Sequence, residues 1–141
     1  MEIRDKRILD KIRSEARLVI GFVESLEYDT FVQDELTKRA VTQTLANIGE
    51  LVRSLSDDVK LHYNRVPWTA IRKTRNVIVH EYDDVDYSII WDVTITHLPN
   101  TVSEINAIET DLGDELFGVN EQRSNYVTIL NAIEEADDNG V

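Results

Sequence analysis

Residues 67–93 carry more structural information than any other stretch of this chain, and they read PWTAIRKTRNVIVHEYDDVDYSIIWDV. Pro67 suits the first turn of a helix because its missing N–H needs no partner there, and apolar residues then recur every three or four positions. This spacing predicts a helix from Pro67 to about His80. Asp83 marks a turn after it, and Asp86 is placed to cap a following helix.

The same spacing predicts helices on both sides of this stretch. It runs through residues 4–27, resumes over 32–55 and continues after Asp86 to residue 108. A break is expected at 28–30, where Asp29 or Thr30 offers an N-cap for the second helix or for a short turn before it. Pro99 is expected to kink or interrupt the last helix. No period-two strand pattern stands against these helices. The expected fold class is therefore all-α, an up-and-down bundle of four to six helices.

One domain is expected from 141 residues, because domains cluster near this length. The bundle is assigned to residues 1–112. Gly113 and Gly118 bound a predicted linker, so residues 113–141 are interpreted as a linker, a short helix around 126–133 and an acidic tail.

Composition excludes several classes of protein. The chain has no cysteine, so disulfides and thiolate metal sites are excluded. Its first residues, MEIRDKRILDKI, lack the apolar core of a secretion signal, and no apolar run approaches the length of a membrane span. A cytoplasmic protein without membrane contact is the expectation.

Charge is distributed unevenly along the chain. Residues 59–80 contain five basic residues and no acidic one, whereas the rest holds 10 Lys and Arg against 27 Asp and Glu. Such a contrast predicts a local anion site rather than a generally basic surface, although acidic runs are most often a solvated face.

Arg75 and His80 are the residues within this basic window that suggest chemistry. The guanidinium of an arginine is always charged, and a histidine titrates near neutrality, so the two suit holding a phosphate and moving protons at it. The same pair near a helix end often only satisfies carbonyl groups or complements the helix dipole. On an ideal helix the two positions lie about 140° apart. Either the helix loosens near His80, or the arginine reaches round it, or two copies of the motif build one site.

The motif and its surroundings resemble the HEPN superfamily, specifically the HepT-type toxins. Residues 75–80 match the family's pattern of arginine, polar residue, spacer and histidine, and Tyr82 completes its longer Arg-x4-His-x-Tyr form. Residues 47–50, NIGE, resemble the family's Ile-Gly-Glu helical turn. Pro67-Trp68 and residues 85–87 bracket the motif as they do in that family. The resemblance extends over roughly residues 8–112.

The resemblance implies a homodimeric HEPN bundle with both motifs facing one cleft, and an RNA endonuclease that needs no metal or other cofactor. RNA cleavage needs a proton acceptor, a proton donor and a group that holds the phosphate charge. We assign His80 as general base or acid, Arg75 as the phosphate clamp and Asn76 as an orienting donor. The substrate is expected to be tRNA or mRNA, with Arg72 and Lys73 extending the contact to its phosphates.

The same resemblance implies a partner, an MNT nucleotidyltransferase antitoxin. In HepT-type toxins the tyrosine two places after the histidine is the position that such antitoxins can AMPylate, and here it is Tyr82. The added phosphate would place bulk and negative charge in the cleft. A half-buried aromatic with its hydroxyl in water is the alternative reading of this tyrosine.

Two other interpretations remain open. The chain could be a non-catalytic helical subunit that binds a nucleotidyltransferase or its nucleotide through the basic window. Asp83, Asp84 and Asp86 also suggest a metal, but their spacing lacks the glycine and the terminal glutamate of a calcium loop. No metal site is predicted.

Overall fold

The structure, a computed structural model, describes residues 1–80, 84–117 and 132. Its helices are α1 (Ile3–Val23), α2 (Tyr28–Gln33), α3 (Glu35–Ser54), α4 (Asp57–His62), α5 (Trp68–His80), α6 (Tyr87–Asp92) and α7 (Leu98–Phe117), with a π-helical segment (Val93–His97) between the last two. Helix α6, this segment and α7 follow without a break, so six helices make up the described residues. These residues contain no strand, and the all-α class is confirmed. The homodimer stays a prediction.

Two compact units divide the chain, Met1–Ile105 and Asn106–Val141. The second unit begins within α7, which continues through Gly113 to Phe117. The predicted domain boundary at Gly113 stays a prediction, because residues 118–131 and 133–141, which would form the linker, the last helix and the tail, lie outside the described residues.

The core of the first unit is built around α3, which packs against α1 on one side and α5 on the other. Each of these helices turns an apolar stripe at helical spacing toward its neighbours. The buried apolar side chains of these helices are Leu9, Ile12, Ala16, Val19 and Val23 from α1, Val41, Leu45, Ile48 and Val52 from α3, and Trp68, Ile71 and Ile78 from α5. The predicted helix over 67–80 is confirmed and forms one wall of this core.

The helix starts show where the sequence reading was right and where it was wrong. Asp86 caps α6 as predicted, accepting a hydrogen bond of 2.9 Å from the backbone N–H of Ser88. The first helix breaks a few residues earlier than expected, after Val23, and the expected position of the break, 28–30, is wrong because those residues begin α2. Asp34 caps α3 instead, accepting from the N–H of Thr37 at 3.1 Å.

These two capping carboxylates predict a loss of stability in acid. The backbone hydrogen bond from Thr37 lowers the pKa of Asp34, and the hydrogen bonds from Ser88, its hydroxyl first, lower the pKa of Asp86. A lowered folded-state pKa contributes stability above the unfolded value, and this contribution is lost as the pH falls through the folded value. The free energy of unfolding, measured with urea, should therefore fall less between about pH 5 and 2 in the Asp34→Asn, Asp86→Asn double variant than in the wild type. Equal slopes would contradict the assignment of these caps.

The π-helical segment lies directly before Pro99, where the sequence predicts a disturbance. Proline lacks an N–H, so the carbonyl of Ile95 loses the donor that an α-helix would place four residues later. The chain has a widened, π-helical turn over Val93–His97, which accommodates the missing donor. The predicted interruption is confirmed, and its position is a few residues earlier than expected.

A buried carboxylate joins the start of α1 to the start of α4. Asp5 is only 3% exposed and accepts two hydrogen bonds from Ser56, one from its N–H at 3.0 Å and one from its hydroxyl at 2.9 Å. The Ser56 hydroxyl also caps α4 by accepting from Val59. Nothing in the sequence pattern predicted this link or the short helix α4.

Replacing Asp5 by alanine should lower the free energy of unfolding by about 2 kcal/mol, because two donors of Ser56 lose a charged acceptor inside the protein. Urea denaturation measures this change. Alanine at the exposed Glu24, at the other end of α1, is the control and should change the value by less than about 0.5 kcal/mol. Similar values for the two variants would contradict a structural role for Asp5.

Candidate active site

Helices α3 and α5 approach each other closely at Gly49. A Cβ atom built on Gly49 would lie 2.6 Å from the Cβ of Arg75 and 3.4 Å from the carbonyl oxygen of Ile71. Carbon atoms prefer separations of about 3.5–4.0 Å, so a side chain at position 49 would collide with α5. The glycine therefore allows the base of the Arg75 side chain to lie against α3.

The carboxylate of Glu50 holds the other end of Arg75. Its Oε2 lies 3.0 Å from the Nε of Arg75, and its Oε1 lies 3.7 Å from an Nη of Arg53. The side chains of Arg75 and Glu50 are 31% and 51% exposed. The side chain of Arg75 is thus partly exposed to solvent while its Nε lies beside a carboxylate.

The register of α5 distributes the other predicted site residues. The helix ends at His80, and five positions from Arg75 correspond to about 140° of rotation and about 7.5 Å of rise. Asn76 is exposed and precedes His80 by four positions, so the two share a face, which Arg72 extends by one turn. The side chain of His80 and the whole of Tyr82 lie outside the described residues.

Comparisons with known proteins identify the family of this chain. The model of a family described as ribonuclease HepT-like matches residues 12–108. The chain belongs to this HepT-like family. A Methanocaldococcus jannaschii protein named "Putative RNase" is 36% identical over 97 residues, which cover 69% of this chain and 80% of that protein.

Two further relatives of the HepT-like chain come from other organisms. A "Putative RNase" of Caldanaerobacter subterraneus subsp. tengcongensis is 31% identical over 71% of this chain and 89% of its own length. A "Probable ribonuclease HepT" of Thermococcus cleftensis is 26% identical over 71% of this chain and 91% of its own length. No solved structure matches the chain.

Arg72 and Lys73 of the HepT-like chain are both exposed and form no ion pair with other described residues. Lys73 lines a groove of about 660 Å³ between α4 and α5, together with Lys60 and Asn64. Cations that are free of carboxylates suit contact with phosphates. This basic groove lies on the turns of α5 that precede Arg75.

A second groove, of about 590 Å³, lies beside Glu50. Its walls are formed by α1 and α3, and its lining residues are Asp10, Lys11, Ser14, Glu15, Asn47, Glu50, Leu51 and Ser54. The ion pair with Arg75 places the guanidinium next to this groove. Carboxylate and amide groups in such a place are suited to accepting and donating hydrogen bonds at the edges of bases.

His62, His97 and Trp68 each contact a neighbouring residue of the fold. His62 is exposed and packs edge-on against the ring of Tyr63, with centroids 4.7 Å apart. His97 lies 3.8 Å from Asp92. Trp68 is buried, and its indole N–H donates to the carbonyl of Tyr63 at 3.0 Å.

Two of the three aspartates that follow α5 lie within the described residues. Asp86 is the cap of α6, Asp84 is exposed, and Asp83 lies outside the described residues. No group of three or more potential metal ligands occurs within the part of the chain that the structure describes. None of its helices is long and apolar enough to cross a membrane.

Sequence reasoning missed the partner of Arg75. Glu50 was noted only as part of an Ile-Gly-Glu turn. The signal that could have revealed it is the glycine itself, because a glycine inside a long amphipathic helix costs about 1 kcal/mol and indicates a close approach of another backbone.

Proposed function

We propose that this chain is a HepT-like toxin that cleaves RNA without a metal, at a cleft between two copies of α5. Arg75 clamps the phosphate, His80 transfers protons, and Asn76 orients the substrate. The observation that carries the proposal is the partly exposed side chain of Arg75, which lies on the helix that ends at His80 and pairs with Glu50 of α3, in a chain of the HepT-like family.

The reaction that these residue types suit is attack of the ribose 2′-oxygen on the neighbouring phosphorus. One His80 takes the proton of the 2′-hydroxyl as its oxygen bonds to phosphorus, and Arg75 stabilises the charge that develops on the phosphoryl oxygens. The bond from phosphorus to the 5′-oxygen then breaks, and a protonated histidine gives its proton to that leaving oxygen. The products are a 2′,3′-cyclic phosphate and a 5′-hydroxyl.

Helix geometry supports a site made from two chains. Arg75 and His80 of one chain lie about 140° apart around α5, and Arg75 is turned toward Glu50 of α3. Two helices facing each other across a symmetric interface bring the arginine and the histidine of both chains toward one phosphate, and the two His80 side chains divide the roles of acid and base.

The proposal includes a regulator and an RNA track. An MNT nucleotidyltransferase antitoxin neutralises the enzyme by AMPylating Tyr82, which adds negative charge where the RNA phosphate binds. Arg72 and Lys73, which are exposed and free of carboxylates among the described residues, hold flanking phosphates of a tRNA or mRNA.

Incubation of the purified protein with total cellular RNA in EDTA, at low and molar potassium chloride, tests the activity. Discrete fragments with cyclic phosphate ends are expected, and a substrate with a 2′-deoxy sugar at the mapped site should resist cleavage. Sedimentation measures the dimer. If no RNA is cut at either salt concentration while Tyr82 is unmodified by mass, the chain is instead a non-catalytic partner subunit of a nucleotidyltransferase.

A further inference from the structure

We propose that Glu50 is a positioning residue for Arg75, which holds the guanidinium through its Nε and leaves the terminal Nη groups to engage the RNA phosphate. The inference rests on the proposed function, in which Arg75 clamps that phosphate. No role for Glu50 follows from the Arg-x4-His-x-Tyr motif.

The side chain of Arg75 is fixed at both of its ends. Its Cβ lies where a side chain of Gly49 would otherwise be, and its Nε lies 3.0 Å from the carboxylate of Glu50. Gly49 and Glu50 are consecutive residues of α3, so one turn of this helix sets both the base and the head of the arginine. A free arginine loses rotamer freedom when it binds a phosphate, and here part of that freedom is lost before RNA binds.

The guanidinium of Arg75 keeps N–H donors beyond the one beside Glu50. A guanidinium has five N–H groups in a planar fork. The carboxylate of Glu50 lies 3.0 Å from Nε, so the four N–H groups of the two Nη atoms, and the edge between those atoms, remain for the phosphate. Two parallel hydrogen bonds from such an edge match the spacing of phosphate oxygens. Because both side chains are partly exposed, the ion pair acts mainly by orientation and contributes little to stability.

The negative charge of Glu50 has opposite effects on RNA binding and on catalysis. The Glu50 carboxylate is negative and lies close to the place where the phosphate binds, so it weakens the attraction between Arg75 and RNA in the ground state. It also holds the fork in the orientation that the transition state needs. Removal of this charge should therefore lower kcat without raising KM, whereas removal of a residue that binds RNA directly raises KM.

A matched control exists on the same helix. Glu35 also bridges two cations of α3, with Oε1 2.7 Å from the Nζ of Lys38 and Oε2 3.7 Å from the Nε of Arg39. Its replacement by glutamine removes the same charge and a comparable pair of ion contacts, both of which lie within α3 and do not involve Arg75. Differences between the two variants therefore report on Arg75 and not on the general loss of a surface carboxylate.

The experiment compares wild type, Glu50→Gln, Glu50→Asp and Glu35→Gln in cleavage of one mapped RNA, with the Nε–H signal of Arg75 followed by NMR. That signal is assigned by its loss in Arg75→Lys. We expect Glu50→Gln to lower kcat about tenfold with KM unchanged or lower, and to accelerate exchange of the Arg75 Nε–H with water. Glu50→Asp should recover part of both losses, and Glu35→Gln should match the wild type.

The outcomes separate this inference from the proposed function. Wild-type protein that cuts no RNA overturns the proposed function, and the NMR signal then still decides whether Glu50 holds Arg75. An active Glu50→Gln variant with wild-type kcat overturns the inference alone. So does a variant that loses only thermal stability, since that result makes the ion pair a link between α3 and α5 and nothing more.

Discussion

Alanine at His80 is expected to reduce the rate of RNA cleavage by about a thousandfold, within the range that general acid and base groups contribute. The loss is large because both protons of the reaction pass through this residue in a symmetric site.

Arg75→Lys is expected to lower the rate of RNA cleavage about a hundredfold, because an ammonium keeps the charge but cannot form two parallel hydrogen bonds to a phosphate. Initial rates on one mapped RNA measure both effects.

His62→Ala is the matched control for the first substitution. His62 is exposed on α4 and contacts Tyr63, so its loss removes an imidazole of the same chain without touching α5. Its rate should equal that of the wild type, and circular dichroism should show the same helicity for all variants. Full activity in His80→Ala, in protein free of contaminating nuclease, would exclude His80 as a catalytic residue and overturn the proposed acid–base mechanism.

The parts of the fold that the sequence predicted correctly are those fixed by local physics. Pro67 before an apolar stripe starts α5, and Asp86 caps α6, since each signal acts within one helical turn of its own residue. The sequence offers Asp29 or Thr30 as a cap for the second long helix or for a short preceding turn, and it does not distinguish these from Asp34, because all three precede apolar positions. The fold has a short helix, α2, over 28–33, with Phe31 fully buried, and Asp34 caps α3.

The missed features depend on contacts between residues that are distant in the sequence. Asp5 lies 51 residues from Ser56, and no pattern in either segment connects them. Glu50 and Arg75 likewise belong to different helices, and only the crossing of α3 and α5 brings their charges together. A candidate site can therefore be located from a motif such as Arg75 to His80, while the residues that hold its side chains in place require the fold.

Gly49→Ala should lower the free energy of unfolding by about 2 kcal/mol, although alanine favours a helix by about 1 kcal/mol over glycine. The new methyl would lie 2.6 Å from the Cβ of Arg75. That atom is bonded directly to the backbone of α5, so no rotamer change can relieve the collision and the two helices must move apart. Such movement withdraws Arg75 from Glu50, so RNA cleavage should decrease as well. Urea unfolding and the cleavage assay measure the two effects.

Gly21→Ala separates helix propensity from packing. Gly21 is an exposed residue of α1, and a Cβ built there meets no atom within 4 Å. The same substitution should stabilise the protein by about 0.5–1 kcal/mol at this position, so the difference between the two variants measures the cost of separating α3 from α5. If Gly49→Ala were as stable and as active as Gly21→Ala, the close approach at Gly49 would not be what positions Arg75.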